Sequence, residues 1–365
     1  MFFAELFMED LRLLNFLKKN LRKQRIFKDR YNPLEELNEE QFIQLYRIKK
    51  ETASFLLRSG IGRIRATGMN RSLPPAIQRC LTLNILSTGI TFRKTGELLG
   101  ISAATSQAVF WQTIEDLNKL AANFIKFPTE TIQISSEFYQ LGHIPNIIGC
   151  IDGTLIPVLR PRENEHIYVC RKWFHALNVT IVNRADLSIS FLSRPYPGNT
   201  HDSFVYQNSH LPDILSQQRQ FHNCYIIGDS AYPLDEHLLV PFLRPGGMDQ
   251  CRFNSVIKVV RCSVERTLGL WKGRWRAIDK QGGPVRFQPE RAAQVILATA
   301  ILHNICIRMR VPEPERYRLE MDADADANEE VLGGAEIRER IVQQLAEESR
   351  NRRNVCAHAT FYLSK

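Results

Sequence analysis

Two short apolar segments of this sequence each lead into a single aspartate, and this repeated pattern constrains the fold more than any other feature. Residues 146–157 read NIIGCIDGTLIP, in which β-prone residues precede Asp152. Residues 224–233 read CYIIGDSAYP, in which a similar run precedes Asp229. Strands of one α/β sheet can present such carboxylates along a shared edge, where ligands bind. The pattern therefore predicts an α/β sheet with a ligand site where these strands end.

A β-hairpin is predicted between the two aspartate segments. FHALNVTIVN (174–183) and LSISFLSRPYPG (187–198) are strand-like and are joined by a short polar connection. A short helix is expected at 200–210, and two longer helices at 255–273 and 289–309. Together with the aspartate segments, these elements predict a mixed sheet with flanking helices.

The sequence before the sheet, over 35–128, has the apolar spacing of helices. One helix ends near Gly89, a short helix follows at 91–99, and Ser102 is placed to cap a third. This succession is the pattern of a helix-turn-helix, in which the last helix reads DNA. Its first turn would offer three small polar side chains to base edges, those of Thr105, Ser106 and Gln107. A plain three-helix scaffold fits the same pattern, so the residues leave both interpretations open.

Two further acidic residues accompany the aspartate pair. Asp202 follows the hairpin in GNTHDS, and Glu265 is the only acid in a predicted helix that carries six basic residues between 256 and 276. Carboxylates brought together repel one another unless a cation neutralises them. Hard oxygen ligands select Mg²⁺ or Mn²⁺, and two such ions about 3.5–4 Å apart promote phosphodiester hydrolysis. The four acids thus predict a divalent-metal site.

Each of these acids also has an ordinary structural explanation. Asp152 and Asp229 are suited to turns, and Asp202 is suited to capping its helix. Glu265 is one helical turn from Arg261, with which it can form an ion pair. The residue pattern taken alone leaves the structural and the metal-binding interpretations open.

The charge distribution favours a polyanionic partner such as DNA. The chain carries a net charge of +9, and residues 311–337 hold nine acids against two arginines, so the remainder carries +16. This positive charge favours an enzyme that acts on a long polyanion over a phosphohydrolase that acts on small substrates. We expect phosphate contacts from four basic residues near the predicted site: Arg171, Lys172, Arg266 and Lys272. Trp173 is a candidate stacking neighbour of Arg171 and Lys172, although a surface pair beside a buried tryptophan explains these residues equally well.

Four motifs in fixed order resemble those of the Harbinger (PIF-type) DDE transposases and the nucleases derived from them. They are GCIDGT, PGNTHDS, IIGDSAYP and VERTLGLWKGRW, followed by ILHNI, and the resemblance covers about residues 40–309. It implies an RNase H-like core after an all-α helix-turn-helix region. It also implies Asp152, Asp229 and Glu265 as catalytic residues that bind Mg²⁺ or Mn²⁺, with Asp202 as a further metal ligand.

The resemblance also implies an activity and a partner. We expect a divalent-metal-dependent DNA endonuclease of transposase ancestry. The alternative is a DNA-binding or adaptor protein that retains the transposase fold without cleaving. Proteins of this family are typically paired with a Myb-like DNA-binding protein, for which the acidic C-terminal segment is a candidate docking surface.

The sequence divides into four expected segments. They are a basic and amphipathic segment at 1–34, the helix-turn-helix region at 35–128, the nuclease domain at 144–309, and an acidic, largely disordered tail with a terminal helix at 310–365. A basic cluster at 18–30 favours nuclear targeting or contact with the DNA backbone, although a solvated helix face explains it at least as well. Eight cysteines without C-x-x-C spacing indicate an intracellular protein, and we expect it in the nucleus, with the cytoplasm left open. No membrane span is expected, and the oligomeric state is left unpredicted.

Overall fold

The structure is a computed structural model, and it describes residues 9–14, 16, 31–61, 73–314 and 334–347. The basic cluster at 18–30 and the acidic stretch at 315–333, for which disorder is expected, lie outside the described residues. None of the described helices combines the length and the apolar character that a membrane span requires.

Helices precede the first strand of the sheet. In chain order they are α1 (9–14 and 16), α2 (Pro33–Glu36), α3 (Glu39–Tyr46), α4 (Lys50–Arg58), α5 (Pro75–Thr88), α6 (Phe92–Leu98), α7 (Ala103–Asn118), α8 (Ala121–Phe124) and α9 (Thr131–Gly142). The described residues before the first strand thus contain the helices that the sequence predicts.

Local capping explains where the helices of the predicted helix-turn-helix begin and end. Gly89 ends α5 in a left-handed conformation with φ +73°, which glycine adopts without strain. The side chain of Thr91 accepts a hydrogen bond at the start of α6, and that of Ser102 does the same at the start of α7. The helix positions therefore follow the sequence, whereas their use in DNA binding stays a prediction.

The sheet is mixed and has the order β3-β2-β1-β5-β6, with β4 also paired to β2. Strands β1, β2 and β3 are antiparallel neighbours, whereas β5 and β6 continue the sheet in parallel from β1. This confirms the predicted hairpin. The strands are β1 (Ile147–Pro157), β2 (Ala176–Asn183), β3 (Ile189–Leu192), β4 (Tyr196–Pro197), β5 (Tyr225–Ile227) and β6 (Leu238–Leu239).

The prediction that a strand ends at Asp152 is wrong. Strand β1 continues through Pro157, because its second half pairs with β2 as far as Ala176. The parallel neighbour β5 does end early, and its last residue, Ile227, lies opposite Cys150. Asp152 and Asp229 each follow that last pair by two residues, so the register places them side by side where the sheet narrows.

The remaining helices surround this sheet. They are α10 (Glu165–Tyr168), α11 (Asp202–Gln207), α12 (Leu211–Gln217), α13 (Met248–Arg274), α14 (Pro289–Arg308) and α15 (334–347). Helix α13 begins seven residues before the predicted start at 255, because Gly247 supplies an extended N-cap and the segment after it continues the helix. Helix α15 packs beside β5, where Arg340 donates to the Tyr225 hydroxyl at 2.7 Å.

Helix α13 lies across one face of the sheet. The Cys150 thiol on β1 contacts the Val260 carbonyl at 3.6 Å. At the end of β2, the Asn183 amide donates to the hydroxyls of Ser263 and Thr267 at 3.2 and 3.1 Å. These contacts fix the rotation of α13 relative to the two aspartate-bearing segments.

One continuous apolar core includes residues of both the helical region and the sheet region. Trp111 on α7 packs edge-on against Phe287, with ring centroids 4.6 Å apart. Asn304 on α14 donates to the carbonyls of Phe124 and Ile189 at 2.8 and 2.7 Å, and so bonds both regions. The two predicted segments therefore share a core along α14.

Candidate metal centre

Three of the four predicted acids surround one guanidinium group. Arg261 Nη2 lies 3.7 Å from Asp152 Oδ2, 3.9 Å from Asp229 Oδ2 and 3.8 Å from Glu265 Oε1. The expected pair between Arg261 and Glu265 is thus present, but it belongs to a larger group. Residues far apart in the sequence are brought together by β1, the segment after β5, and α13.

The backbone orients both aspartates of this group. Gly153 N–H donates to Asp152 Oδ1, and Ala231 N–H donates to Asp229 Oδ1, each at 2.9 Å. Because one oxygen of each carboxylate is used by the backbone, the other oxygen is turned towards Arg261. The turn role and the converging role of these aspartates are therefore compatible.

Asp202 approaches β1 from the other side. It is the first residue of α11, and its Oδ1 accepts a hydrogen bond from the Asn178 amide at 2.7 Å. Its carboxylate lies directly against Gly153, where an added Cβ would come within 2.3 Å of Oδ1. Since successive strand residues point to opposite faces, Asp202 lies across β1 from the contact between Asp152 and Arg261.

Burial and like charge both act on these carboxyls. Burial raises the pKa of Asp152 to about 8, Arg261 opposes this increase, and the neighbouring charges of Asp229 and Asp202 add to it. Burial also raises the pKa of Asp202, although the hydrogen bond from Asn178 opposes the shift. Burial and the neighbouring acids therefore favour the neutral, protonated forms of Asp152 and Asp202.

Tyr232 also belongs to this site, although no role was predicted for it. Its side chain is fully buried, and its backbone N–H donates to the Asp229 carbonyl at 3.3 Å. Burial raises the pKa of its phenol well above the usual value, and the charges of Asp202, Asp152 and Asp229 raise it further. The phenol therefore remains protonated beside the acids. The only sequence signal was its place three residues after Asp229 in the IIGDSAYP motif.

The donor chemistry of the site suits a hard divalent cation. Four partly buried carboxylates supply the oxygen ligands that Mg²⁺ and Mn²⁺ prefer. In the part of the chain that the structure describes, however, no three acidic, histidine or cysteine side chains come close enough to share an ion. The Arg261 guanidinium lies where such an ion would be shared. The residue types fit such a cation, whereas their present spacing around Arg261 does not, so a shared ion would require that side chain to move.

The predicted phosphate contacts Arg171 and Lys172 lie on an exposed, tight loop between α10 and β2. Cys170 accepts from Trp173 N–H at 2.9 Å and donates to the Phe174 carbonyl at 3.0 Å. Trp173 is 89% exposed and has a left-handed φ of +59°. Burial raises the pKa of Asp202 and the charge of Arg171 opposes that increase, so this loop lies near the acidic site.

The two predicted contacts on α13 both have partners within the protein. Arg266 Nη2 lies 2.6 Å from Glu313 Oε1, in an exposed pair. Lys272 Nζ donates to the Leu155 carbonyl of β1 at 3.0 Å. A phosphate contact from either side chain would have to share or replace these bonds, and both assignments stay predictions.

At the start of α7, only two of the three predicted DNA-contacting side chains are exposed. Thr105 and Gln107 are exposed, whereas Ser106 is completely buried against α6 and donates to the Ser102 carbonyl at 3.0 Å. Ser106 therefore stabilises the turn between the helices. Of the three predicted residues, Thr105 and Gln107 have exposed side chains, and the Thr105 hydroxyl is bonded to that of Ser102 at 2.8 Å, so contact with DNA stays a prediction for both.

Comparison with known proteins identifies the domain that contains the site. Residues 151–304 match the family model described as DDE superfamily endonuclease. The part of the chain that contains the four acids is therefore similar to DDE superfamily endonucleases. All four predicted metal ligands lie within the matched residues, and endonucleases of this superfamily generally use divalent metals. The mixed sheet with flanking helices is consistent with the RNase H-like fold that the resemblance implies.

Relatives of the endonuclease domain confirm the resemblance to Harbinger-derived proteins. "Putative nuclease HARBI1" of Rattus norvegicus is 28% identical over 76% of this chain and 80% of its own length. The protein of the same name from Homo sapiens is 26% identical over the same shares. "Protein ALP1-like" of Arabidopsis thaliana is 26% identical over 63% of this chain and 60% of its own length. No solved structure matches the chain.

Proposed function

We propose that this protein is a divalent-metal-dependent DNA endonuclease of transposase ancestry. The observation that carries the proposal is the convergence of Asp152, Asp229 and Glu265 on one point within the endonuclease domain. Three carboxylates from separate elements do not gather around one cation for the stability of turns or caps alone, since each could make its local bonds without the others.

The acids have distinct parts in this proposal. Asp152, Asp229 and Glu265 hold Mg²⁺ or Mn²⁺ as the catalytic set, and Asp202 completes the ligand set from the other face of β1. When bound, the cations supply Lewis-acid stabilisation to the attacking and leaving oxygens of the phosphodiester. Asp152 must release a proton before it can act as a ligand, because its pKa is raised to about 8 by burial.

DNA is held by basic residues around the acidic site. Arg171 and Lys172 contact phosphates from the exposed loop, and Trp173 stacks on a base. Arg266 and Lys272 serve the same backbone from α13 after exchanging their present partners. The helix-turn-helix contacts a second stretch of DNA through Thr105 and Gln107. The net charge of +16 outside the acidic segment supports a long polyanion as the substrate.

A nuclear location and a Myb-like partner are part of the same proposal. The basic cluster at 18–30 would direct nuclear entry, and the acidic segment would receive the partner. Because α15 packs on the sheet through Arg340 and Tyr225, a test of docking should delete only 315–333. Undiminished association of that deletion variant would rule the acidic segment out.

The experiment that tests the nuclease is the substitution Asp229→Asn, assayed with Mn²⁺ on duplex DNA. We expect cleavage to fall below detection while the DNA dissociation constant stays within about twofold, because one ligand is lost and no phosphate contact is. Asp213→Asn, on an exposed face of α12, is the matched control and should cleave normally. Cleavage retained by Asp229→Asn would refute the assignment.

The second candidate is a DNA-binding or adaptor protein that no longer cleaves. One observation favours it: the Arg261 guanidinium lies among the acids, where a shared metal ion would otherwise be held. Such a protein would bind DNA in a salt-dependent way that EDTA leaves unchanged, and would show no cleavage with any divalent metal.

A further inference from the structure

The contacts of Arg261 are electrostatic and incompletely bonded. Its three distances to carboxylate oxygens, 3.7 to 3.9 Å, exceed hydrogen-bond length. Its buried Nε has no hydrogen-bond partner among the described residues. A guanidinium that evolved as a permanent structural partner would normally make close, paired bonds to a carboxylate. The three carboxylates therefore surround this guanidinium without close hydrogen bonds to it.

The acids nonetheless depend on a positive charge at this point. The side chains of Asp152, Asp229 and Glu265 are 17%, 29% and 26% exposed, so water screens their mutual repulsion only in part. Arg261 contacts all three, and its own side chain is 17% exposed. Without a cation here, the three segments would be pushed apart.

We propose that Arg261 is a built-in substitute for the metal, which keeps the ligands assembled in the metal-free protein and competes with the incoming ion. The Arg261 guanidinium and a metal ion cannot occupy the same position between the three carboxylates, because both need the same oxygens and they repel each other. Binding of Mg²⁺ or Mn²⁺ therefore displaces the guanidinium on its long, flexible stem. Arg261 would thus set the metal affinity of the centre. This inference rests on the proposed metal-dependent function.

An ordinary structural role makes the opposite prediction. If Arg261 only holds Glu265 and the aspartates in place, its loss should disorder the ligands and weaken metal binding. If it competes with the metal, its loss should strengthen metal binding while lowering stability without metal. Metal affinity, measured in the absence of DNA and of turnover, separates the two.

The test is calorimetric titration of the full chain with Mn²⁺ at pH 8, together with thermal unfolding with and without Mn²⁺. We expect Arg261→Met, which keeps much of the apolar stem, to bind Mn²⁺ at least tenfold more tightly than the unaltered protein. Its melting temperature should be lower without metal and should rise more when Mn²⁺ is added. Lys258→Met removes one charge from the exposed side of the same helix and should bind Mn²⁺ within about twofold of the unaltered protein.

Equal or weaker Mn²⁺ binding by a folded Arg261→Met would overturn the inference. If that variant does not fold, Arg261→Lys decides, because its smaller cation should compete less and tighten binding at least threefold; unchanged binding again overturns it. Asp229→Asn distinguishes a failure of the competition by Arg261 from a failure of the proposed metal binding. Mn²⁺ binding that is lost in Asp229→Asn but unaltered by both Arg261 variants removes only the inference. Binding absent from every protein removes the proposed metal centre as well.

Discussion

At the scale of single residues, the aspartates of the site each combine a local structural role with a contact at the acidic site. Asp152 and Asp229 use one oxygen for a backbone N–H and turn the other towards the shared centre. Asp202 begins a helix and also faces Gly153, whose missing Cβ allows its close approach. A local structural role is therefore compatible with the proposed metal binding, because it is the means by which each carboxylate is positioned.

The raised pKa of Asp152 predicts how metal-free stability depends on pH. The folded pKa is about 8, above the ordinary unfolded value, so the folded state keeps a proton that the unfolded state releases. Stability should therefore fall as pH rises from about 4 to about 8. Asp152→Asn removes this dependence and should be more stable at pH 8 by about 1–3 kcal/mol, with the difference vanishing near pH 4.

Thermal unfolding over that pH range, in EDTA, measures the effect. Addition of Mn²⁺ at pH 8 should reverse the order, because only the unaltered protein has the full ligand set to bind it. Parallel melting curves for the two proteins across pH would show that Asp152 titrates normally and is not buried among like charges.

Much at this scale was visible in the sequence, and the reason is local. An acid that follows an apolar strand, and an acid isolated among bases, are signals within a few residues of the chain. The central place of Arg261 was not visible, because it depends on where α13 crosses the sheet. The burial of Ser106 and Tyr232 and the bond from Asn178 to Asp202 also depend on packing between distant segments.

At the scale of elements, the position of α13 decides whether the acids meet. Glu265 and Arg261 lie on this helix, whereas the aspartates come from β1 and the segment after β5. Asn183 at the end of β2 bonds Ser263 and Thr267, which flank Glu265 on either side. This buried amide therefore sets the rotation that points Glu265 at the aspartates.

Replacement of Asn183 tests this anchoring. Asn183→Leu keeps the branched shape of the side chain but leaves two hydroxyls without their donor, and we expect a loss of about 1–3 kcal/mol in the free energy of unfolding. Mn²⁺ binding should weaken at the same time, because α13 can then rotate. Ser255→Ala, at an exposed site of the same helix, should change stability by less than about 0.5 kcal/mol. Urea unfolding and calorimetry measure both; unaltered Mn²⁺ affinity in a destabilised variant would argue against the anchoring role.

The elements themselves were largely predictable, and the exceptions have physical causes. The hairpin, the helices around Gly89 and Ser102, and α14 follow from local caps and apolar spacing. The length of β1 does not, since its last residues are held in the sheet by pairing with β2. The two residues of β6 form a strand only because β5 offers a parallel edge.

At the scale of the whole molecule, the helical region and the sheet region share one core and are not connected by the chain alone. Helix α14 connects the two regions through Asn304. The side-chain amide of Asn304 is hydrogen-bonded to the Phe124 carbonyl of the helical region and to the N–H and carbonyl of Ile189 in the sheet. Trp111 and Phe287 pack across the same boundary. A sequence that suggested two segments in succession has thus folded around one core, because the apolar face of α14 serves both.

Because the two regions share a core along α14, we predict that they unfold together. Hydrogen exchange of the full chain should give similar opening free energies for the amides of α5 to α7 and those of β1 and β2, since neither keeps its core without α14. Asn304→Ala leaves several buried backbone groups without partners and should lower both values by about 2–4 kcal/mol. Asn208→Ala, which removes an exposed bond within α11, should leave both within about 0.5 kcal/mol. Loss of protection in the helices alone would mean that they form an independent unit, and any contribution of Thr105 and Gln107 to DNA binding would then be separable from the metal centre.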